Sequence, residues 1–184
     1  MNYIEHKFNG KLNRLALTAG ALYRIYEEKG YTENLALHLK LDEESEEGWN
    51  NCCWLYALLA AHGELQRRAL GYDHELMISM EAVKTLASPA DVPGIKSAIY
   101  GALKIGFMRC VEPSSEDEVD LVLKEMELNE KKKGGWRRER IAVLSVASRI
   151  LRLSQKEALL LSPGELSDMI ELAMPDKEVS EDWQ

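Results

Sequence analysis

At 184 residues the chain has enough length to bury a real core in one domain with an appendage. Its 46% hydrophobic and 29% charged residues exclude a disordered chain. A formal net charge of -8 and a pI near 5.1 argue against a general binder of nucleic acid or anionic membrane.

The opening MNYIEHKFNG lacks the basic region and apolar run of a secretory signal. The longest apolar run, Cys52 to Ala61, reaches only about half of what a bilayer-spanning helix needs. Cys52, Cys53 and Cys110 are odd in number, and adjacent cysteines bridge poorly, so reduced thiols are expected.

In chain order, Asn9-Gly10 sits at the centre of Tyr3 to Leu17 and is the dipeptide favoured in type I′ hairpin turns, so a small hairpin is predicted. Thr18 is placed to cap a helix through Ala21, Leu22, Ile25 and Tyr26, with Gly30 as its C-terminal stop. Glu33 to Leu41 predicts a short helix presenting Leu35 and Leu39. The acidic run Asp42 to Glu47 then suits the first turn of a helix, where it favours the dipole; it lacks EF-hand spacing. The segment from Trp49 to His62 is apolar nearly all round and reads as the buried centre of the domain.

Gly63 and Gly71 are expected to bracket a connection holding Arg67, Arg68 and His74. Ser79 caps a predicted helix through Val83 and Leu86. Pro89 to Gly94 reads as a break, followed by a helix over Ile95 to Ile105 ended by Gly106. Ile95, Ile99, Ala102 and Leu103 share its apolar face.

From Glu112 the composition changes. Acidic residues dominate up to Glu130, Lys131 to Lys133 reverse the sign, and Gly134-Gly135 reads as a hinge. Arg138 to Leu153 predicts an amphipathic helix. Ser154 with Glu157, and Ser162 with Glu165, both fit the capping box, and Pro163 occupies the favoured first helical position. In the last helix Leu166, Met169, Ile170 and Ala173 fall on one face and Glu165, Asp168 and Glu171 on the other.

The expected fold is therefore mainly α. A small N-terminal β-hairpin and compact helical domain occupy residues 1–111, a charged helix or linker 112–135, a C-terminal three-helix module 136–175, and a charged tail 176–184. The helical domain is expected to fold without the module.

No glycine-rich phosphate loop, G-x-S-x-G elbow or H-E-x-x-H is present. His62 and His74 around Glu64 and Asp73 are the nearest approach to a metal set, and at this spacing no metal site, cofactor or catalytic group is expected. Buried thiols at Cys52 and Cys53 behave as small hydrophobes. The two capped helices also match a helix-turn-helix, which makes a DNA-binding regulator of a phage or mobile element the alternative reading. Acidic residues on the would-be reading helix oppose it, because phosphates repel them.

Two stretches, NGKLNRLALTAGALYRI near the N-terminus and LSQKEALLLSPGELSDMIEL near the C-terminus, resemble the opening and the end of the tail-assembly chaperones of long-tailed phages and gene transfer agents. One departure is Leu159 to Leu161, where many members carry a further aromatic. The resemblance implies a non-enzymatic protein of the host cytoplasm, absent from the mature virion. It would bind the tape-measure protein, recruit the major tail-tube protein through a C-terminal extension, and bind neither nucleic acid nor membrane; self-association into a homo-oligomer stays open. In many members a programmed frameshift makes that extension, and the Lys131–Lys133 run is where a slippery message is expected. Candidate partner-binding residues are Leu159, Leu160, Leu166, Met169, Ile170 and Trp136, with Gly134 and Gly135 as the hinge.

Overall fold

The computed structural model describes residues 2–30, 34–110 and 151–173. The protein is mainly helical, with an N-terminal two-stranded antiparallel hairpin followed by helices and a short C-terminal helical stretch.

Strands β1 (Ile4–Phe8) and β2 (Lys11–Leu15) pair with Phe8 opposite Lys11, so the loop is only Asn9 and Gly10. Both have positive φ, 49° and 75°, as a type I′ turn requires. The short turn fixes register and puts Phe8, Asn13 and Leu15 inward. Helix α1 (Ala19–Lys29) begins where the Thr18 hydroxyl accepts from the Ala21 N–H at 3.1 Å and ends at left-handed Gly30. A single turn, α2 (Leu35–His38), buries Leu35.

Helix α3 (Glu46–Ala69) is the axis of the fold. Ser45 caps it by accepting from Gly48 N–H at 3.1 Å, and Glu46 and Glu47 occupy its first turn. Its Leu55, Tyr56 and Leu59 are fully enclosed by Phe8, Leu15, Leu17, Ile25, Ile95 and other core side chains. Burial of side chains this size stabilises by roughly 1.5–3 kcal/mol each.

Contrary to the sequence reading, α3 does not stop near Gly63 but continues through it to Ala69. A Cβ at Gly63 would lie 1.9 Å from the Arg14 carbonyl oxygen, so glycine lets β2 approach the helix backbone. Close approach, rather than termination, explains it. The hydrogen bond from Ala16 N–H to Leu59 C=O, 3.0 Å, secures the same contact.

Helix α4 (Met80–Leu86) is capped by Ser79. Helix α5 (Val92–Phe107) starts earlier than expected, with Pro93 in its first turn, and runs past Gly106. There too glycine serves contact, since a Cβ would lie 2.5 Å from Leu17 Cβ.

Helices α6 (Gln155–Leu160) and α7 (Pro163–Ala173) complete the described chain. Both capping boxes are formed. Ser154 N–H donates to Glu157 and Glu157 N–H to Ser154 Oγ; Ser162 and Glu165 repeat the exchange. Of the helix expected over Arg138 to Leu153, residues 138–150 lie outside the described residues, and 151–153 are not helical. The charged segment 112–135, the tail 176–184, the hinge Gly134-Gly135 and Trp136 also lie outside them.

The chain divides into two compact units: Met1–Met108 with Leu159–Glu165, and Arg109–Ala158 with Leu166–Gln184. The C-terminal stretch is divided between the two units. Part of it is built into the first unit, where Leu161 C=O accepts from Ala19 N–H at 2.8 Å and Leu160 C=O accepts from Gln66 Nε2 at 2.7 Å. Without that segment two donors of the helical domain would lose their partners.

Candidate protein-binding site

The first unit carries one segment that no periodicity announced. After α3, residues 72–79 have no regular secondary structure, yet they are held in place. The organiser is Glu64, a residue only 8% exposed. Its carboxylate accepts from Arg67 Nε at 2.7 Å, Arg68 Nε at 3.1 Å and the Glu75 amide at 2.8 Å. Burial alone pushes the Glu64 carboxyl up, but the hydrogen bonds from Arg67, the Glu75 amide and Arg68 outweigh it and hold the pKa at about 2. Lys11 Nζ donates to the Leu76 carbonyl, tying the segment to β2. Arg14 and Arg67 flank the Glu75 carboxylate at 3.9 and 3.6 Å, and the Arg67 guanidinium sits 5.7 Å over the Tyr72 ring.

This pinned backbone turns apolar side chains outward. Leu76 is 83% exposed and Tyr72 60%, with Leu70 and Met77 exposed as well. Leu76 and Met77 line a shallow cleft with Leu12 of β2 and Ala60 of α3. A soluble protein rarely fixes large apolar side chains in water unless the surface is used, since leaving them there forfeits their burial energy. Four large apolar residues between Leu70 and Met77 without helical or strand period are the sequence signal of this surface.

The residues singled out near the C-terminus take different places. Leu159 and Leu160 are half-buried in the strap Leu159–Glu165 described above. Leu166 is buried. Met169 is exposed and Ile170 half-buried, while Leu172, not singled out beforehand, is 72% exposed.

The acidic face of α7 is also not a solvated one. Asp168 is buried, accepting from Arg109 Nε at 3.0 Å and from the Cys110 amide at 2.7 Å; Arg109 also donates to Glu171. These acids fasten the chain around Arg109 to α7. Arg109, whose role is set by residues far along the chain, left no signature in the sequence.

Burial suppresses the reactivity of two thiols and one imidazole. Burial pushes the Cys53 thiol up to about 12 and raises that of Cys52. His62 shares a 2.7 Å hydrogen bond with the Thr18 hydroxyl; burial and then the Arg24 charge lower its pKa to about 4. With Glu64 engaged by arginines, the four residues considered for a metal do not assemble. Among the described residues no group of three or more His, Cys, Asp or Glu is placed to hold one. No helix among them is long and apolar enough to cross a membrane.

No family model, no curated protein and no solved structure matches the chain.

Proposed function

We propose that the protein is a phage tail-assembly chaperone, a binding protein without an active site. It holds the tape-measure protein in the host cytoplasm before the tail tube polymerises, recruits major tail-tube subunits through its C-terminal residues, and is left behind by the finished virion. The observation that carries this reading is the exposure of Leu70, Tyr72, Leu76 and Met77, the last two beside a backbone held at Glu75 by Glu64 and at Leu76 by Lys11. A long helical client presents apolar stripes, and a rigid apolar surface meets them without first paying to order itself. The net charge of -8 keeps a loaded complex soluble. The likeness of NGKLNRLALTAGALYRI and LSQKEALLLSPGELSDMIEL to the family's two ends supports the same assignment.

The test is co-expression of the full chain with a tape-measure protein and with tube protein. Leu76→Asp with Met77→Asp abolishes capture of the tape-measure protein while thermal stability holds. Met169→Asp with Leu172→Asp spares that capture and lowers recruitment of tube subunits. Undiminished tape-measure capture by the Leu76/Met77 variant refutes the assignment of the surface. Point substitutions are preferable to truncation at Gly134, which would also remove the Leu160 and Leu161 carbonyls from the helical unit.

A further inference from the structure

The two edges of the hairpin differ. Because the turn holds only Asn9 and Gly10, Phe8 and Lys11 exchange both backbone hydrogen bonds. The alternation of an antiparallel ladder repeats this at His6 with Asn13 and at Ile4 with Leu15, and the residues between them aim their N–H and C=O groups away from the partner strand. Beside β2 that outer side is closed by α3: Arg14 C=O lies against Gly63, and just past the strand Ala16 N–H donates to Leu59 C=O at 3.0 Å. Beside β1 it is open. The N–H and C=O groups of Glu5 and Lys7 face outward, both residues are exposed, and among the described residues no backbone hydrogen bond from outside the ladder reaches them. Such an edge is a template for a further strand.

Charge selects the strand that fits. Glu5 meets Arg14 across the ladder at 3.2 Å, whereas Lys7 has no acidic partner among the described residues. A lysine on an edge repels an added strand that brings it no acid. We propose that β1 is a self-association edge, at which two copies of this chain join β1 to β1, antiparallel about a twofold axis at His6. In that register Glu5 stands opposite Lys7 of the second copy, and Lys7 opposite its Glu5. These are the residues whose backbone groups face the edge, so one register makes both the hydrogen-bonded pairs and the ion pairs. A slip to the neighbouring hydrogen-bonded registers sets Glu5 against Glu5 or Lys7 against Lys7. Across the joined sheet, Arg14, Glu5 and the second copy's Lys7 alternate in sign. His6, on the axis, is neutral at pH 7 because burial lowers its pKa, so no like charges meet there. Beneath β1, α5 meets the strand through Gly94 and Gly101, and the exposed residue that shares their face, Ser97, is also small. The contact is isologous, as a closed dimer requires. It uses neither Leu76 nor Met77 and holds whatever client they receive.

Sedimentation velocity of the full chain is expected to show monomer giving way to dimer as concentration rises. Lys7→Glu, at an exposed position, sets like charges against Glu5 in both pairs and raises the dimer Kd by about tenfold or more. Glu5→Lys does the same against Lys7. An equimolar mixture of the two variants regains opposite charges in both pairs and forms a mixed dimer with the parent's Kd. A parent that stays monomeric up to its solubility limit overturns the proposal. So does a dimer whose Kd neither substitution changes, or a mixture no tighter than the separate variants. Glu5→Lys also faces Arg14, so circular dichroism checks its fold. Should it unfold, Lys7→Pro replaces the mixture, because proline there removes an outward N–H and spares the ladder. Loss of the dimer with the fold intact upholds the edge, and a dimer retained in Lys7→Pro overturns it.

Discussion

Replacing Gly63 with alanine sets helix propensity against tertiary contact. In an exposed helix interior, Gly→Ala stabilises by roughly 1 kcal/mol, because the unfolded chain loses freedom and the helix gains a good former. Gly63 lies inside a 24-residue helix, so propensity alone predicts a gain. The added Cβ, however, would stand 1.9 Å from the Arg14 carbonyl oxygen and 2.7 Å from its carbonyl carbon, where 3.0 Å is about the closest that real Cβ atoms come. Backbone, not a flexible side-chain end, is in the way. Strand β2 must retreat by about 1 Å, which stretches the 3.0 Å bond from Ala16 N–H to Leu59 C=O beyond hydrogen-bonding range. Overpacking costs typically about 1–3 kcal/mol, and the buried amide left unpaired costs a similar amount. Net of propensity, Gly63→Ala is expected to destabilise by about 2–4 kcal/mol. Urea unfolding followed by circular dichroism reads this as a lower midpoint at unchanged slope. Gly101→Ala is the control, because its Cβ would meet only side-chain atoms of Ile4, Cγ1 at 3.1 Å and Cδ1 at 3.3 Å, on a side chain able to shift; it is expected to lie within about 1 kcal/mol of the parent. A Gly63→Ala chain as stable as the parent would refute the close-approach account.

Three further outcomes are expected. His62 has a folded pKa of about 4 against 6.5, so acid protonates the unfolded state first. Stability is then full above about pH 6.5 and declines as pH falls toward 4, by up to about 3 kcal/mol from this group. His6, lowered mainly by burial, acts in the same direction, and His62→Gln should flatten the decline in urea midpoints between pH 6.5 and 4.5. Glu64→Gln removes the charge facing Arg67 and Arg68 and is expected to speed proteolytic cleavage between Gly71 and Ile78; a cleavage pattern identical to the parent's would show that Glu64 does not hold the segment. Thiol labelling of the native chain at pH 8 should modify Cys110, which is exposed, while Cys52 and Cys53 react only at the rate of unfolding; fast labelling of all three contradicts their burial.

Local chemistry was legible wherever a few adjacent residues settle the backbone among themselves. The Asn9-Gly10 turn, the Thr18 and Ser79 caps, the Gly30 stop and both S-x-x-E boxes are of this kind, each resting on hydrogen bonds spanning no more than four residues. Periodicity likewise identified Ile95, Ile99, Ala102 and Leu103 as one buried face. Gly63 and Gly106 were misread because a glycine that stops a helix and one that admits a neighbour are spelled alike; only the positions of Arg14 and Leu17 tell them apart. Asp168 was put on a polar face because the helical pattern cannot know that Arg109 and the Cys110 amide will meet it. The apolar row between Leu70 and Met77 has no period to detect, since Glu64 and Lys11 hold it rather than its own backbone pattern. The docking of Leu160 and Leu161 on Gln66 and Ala19 was invisible for the most general reason. Backbone carbonyls carry no residue identity, so contacts made through them are decided only when the chain has folded.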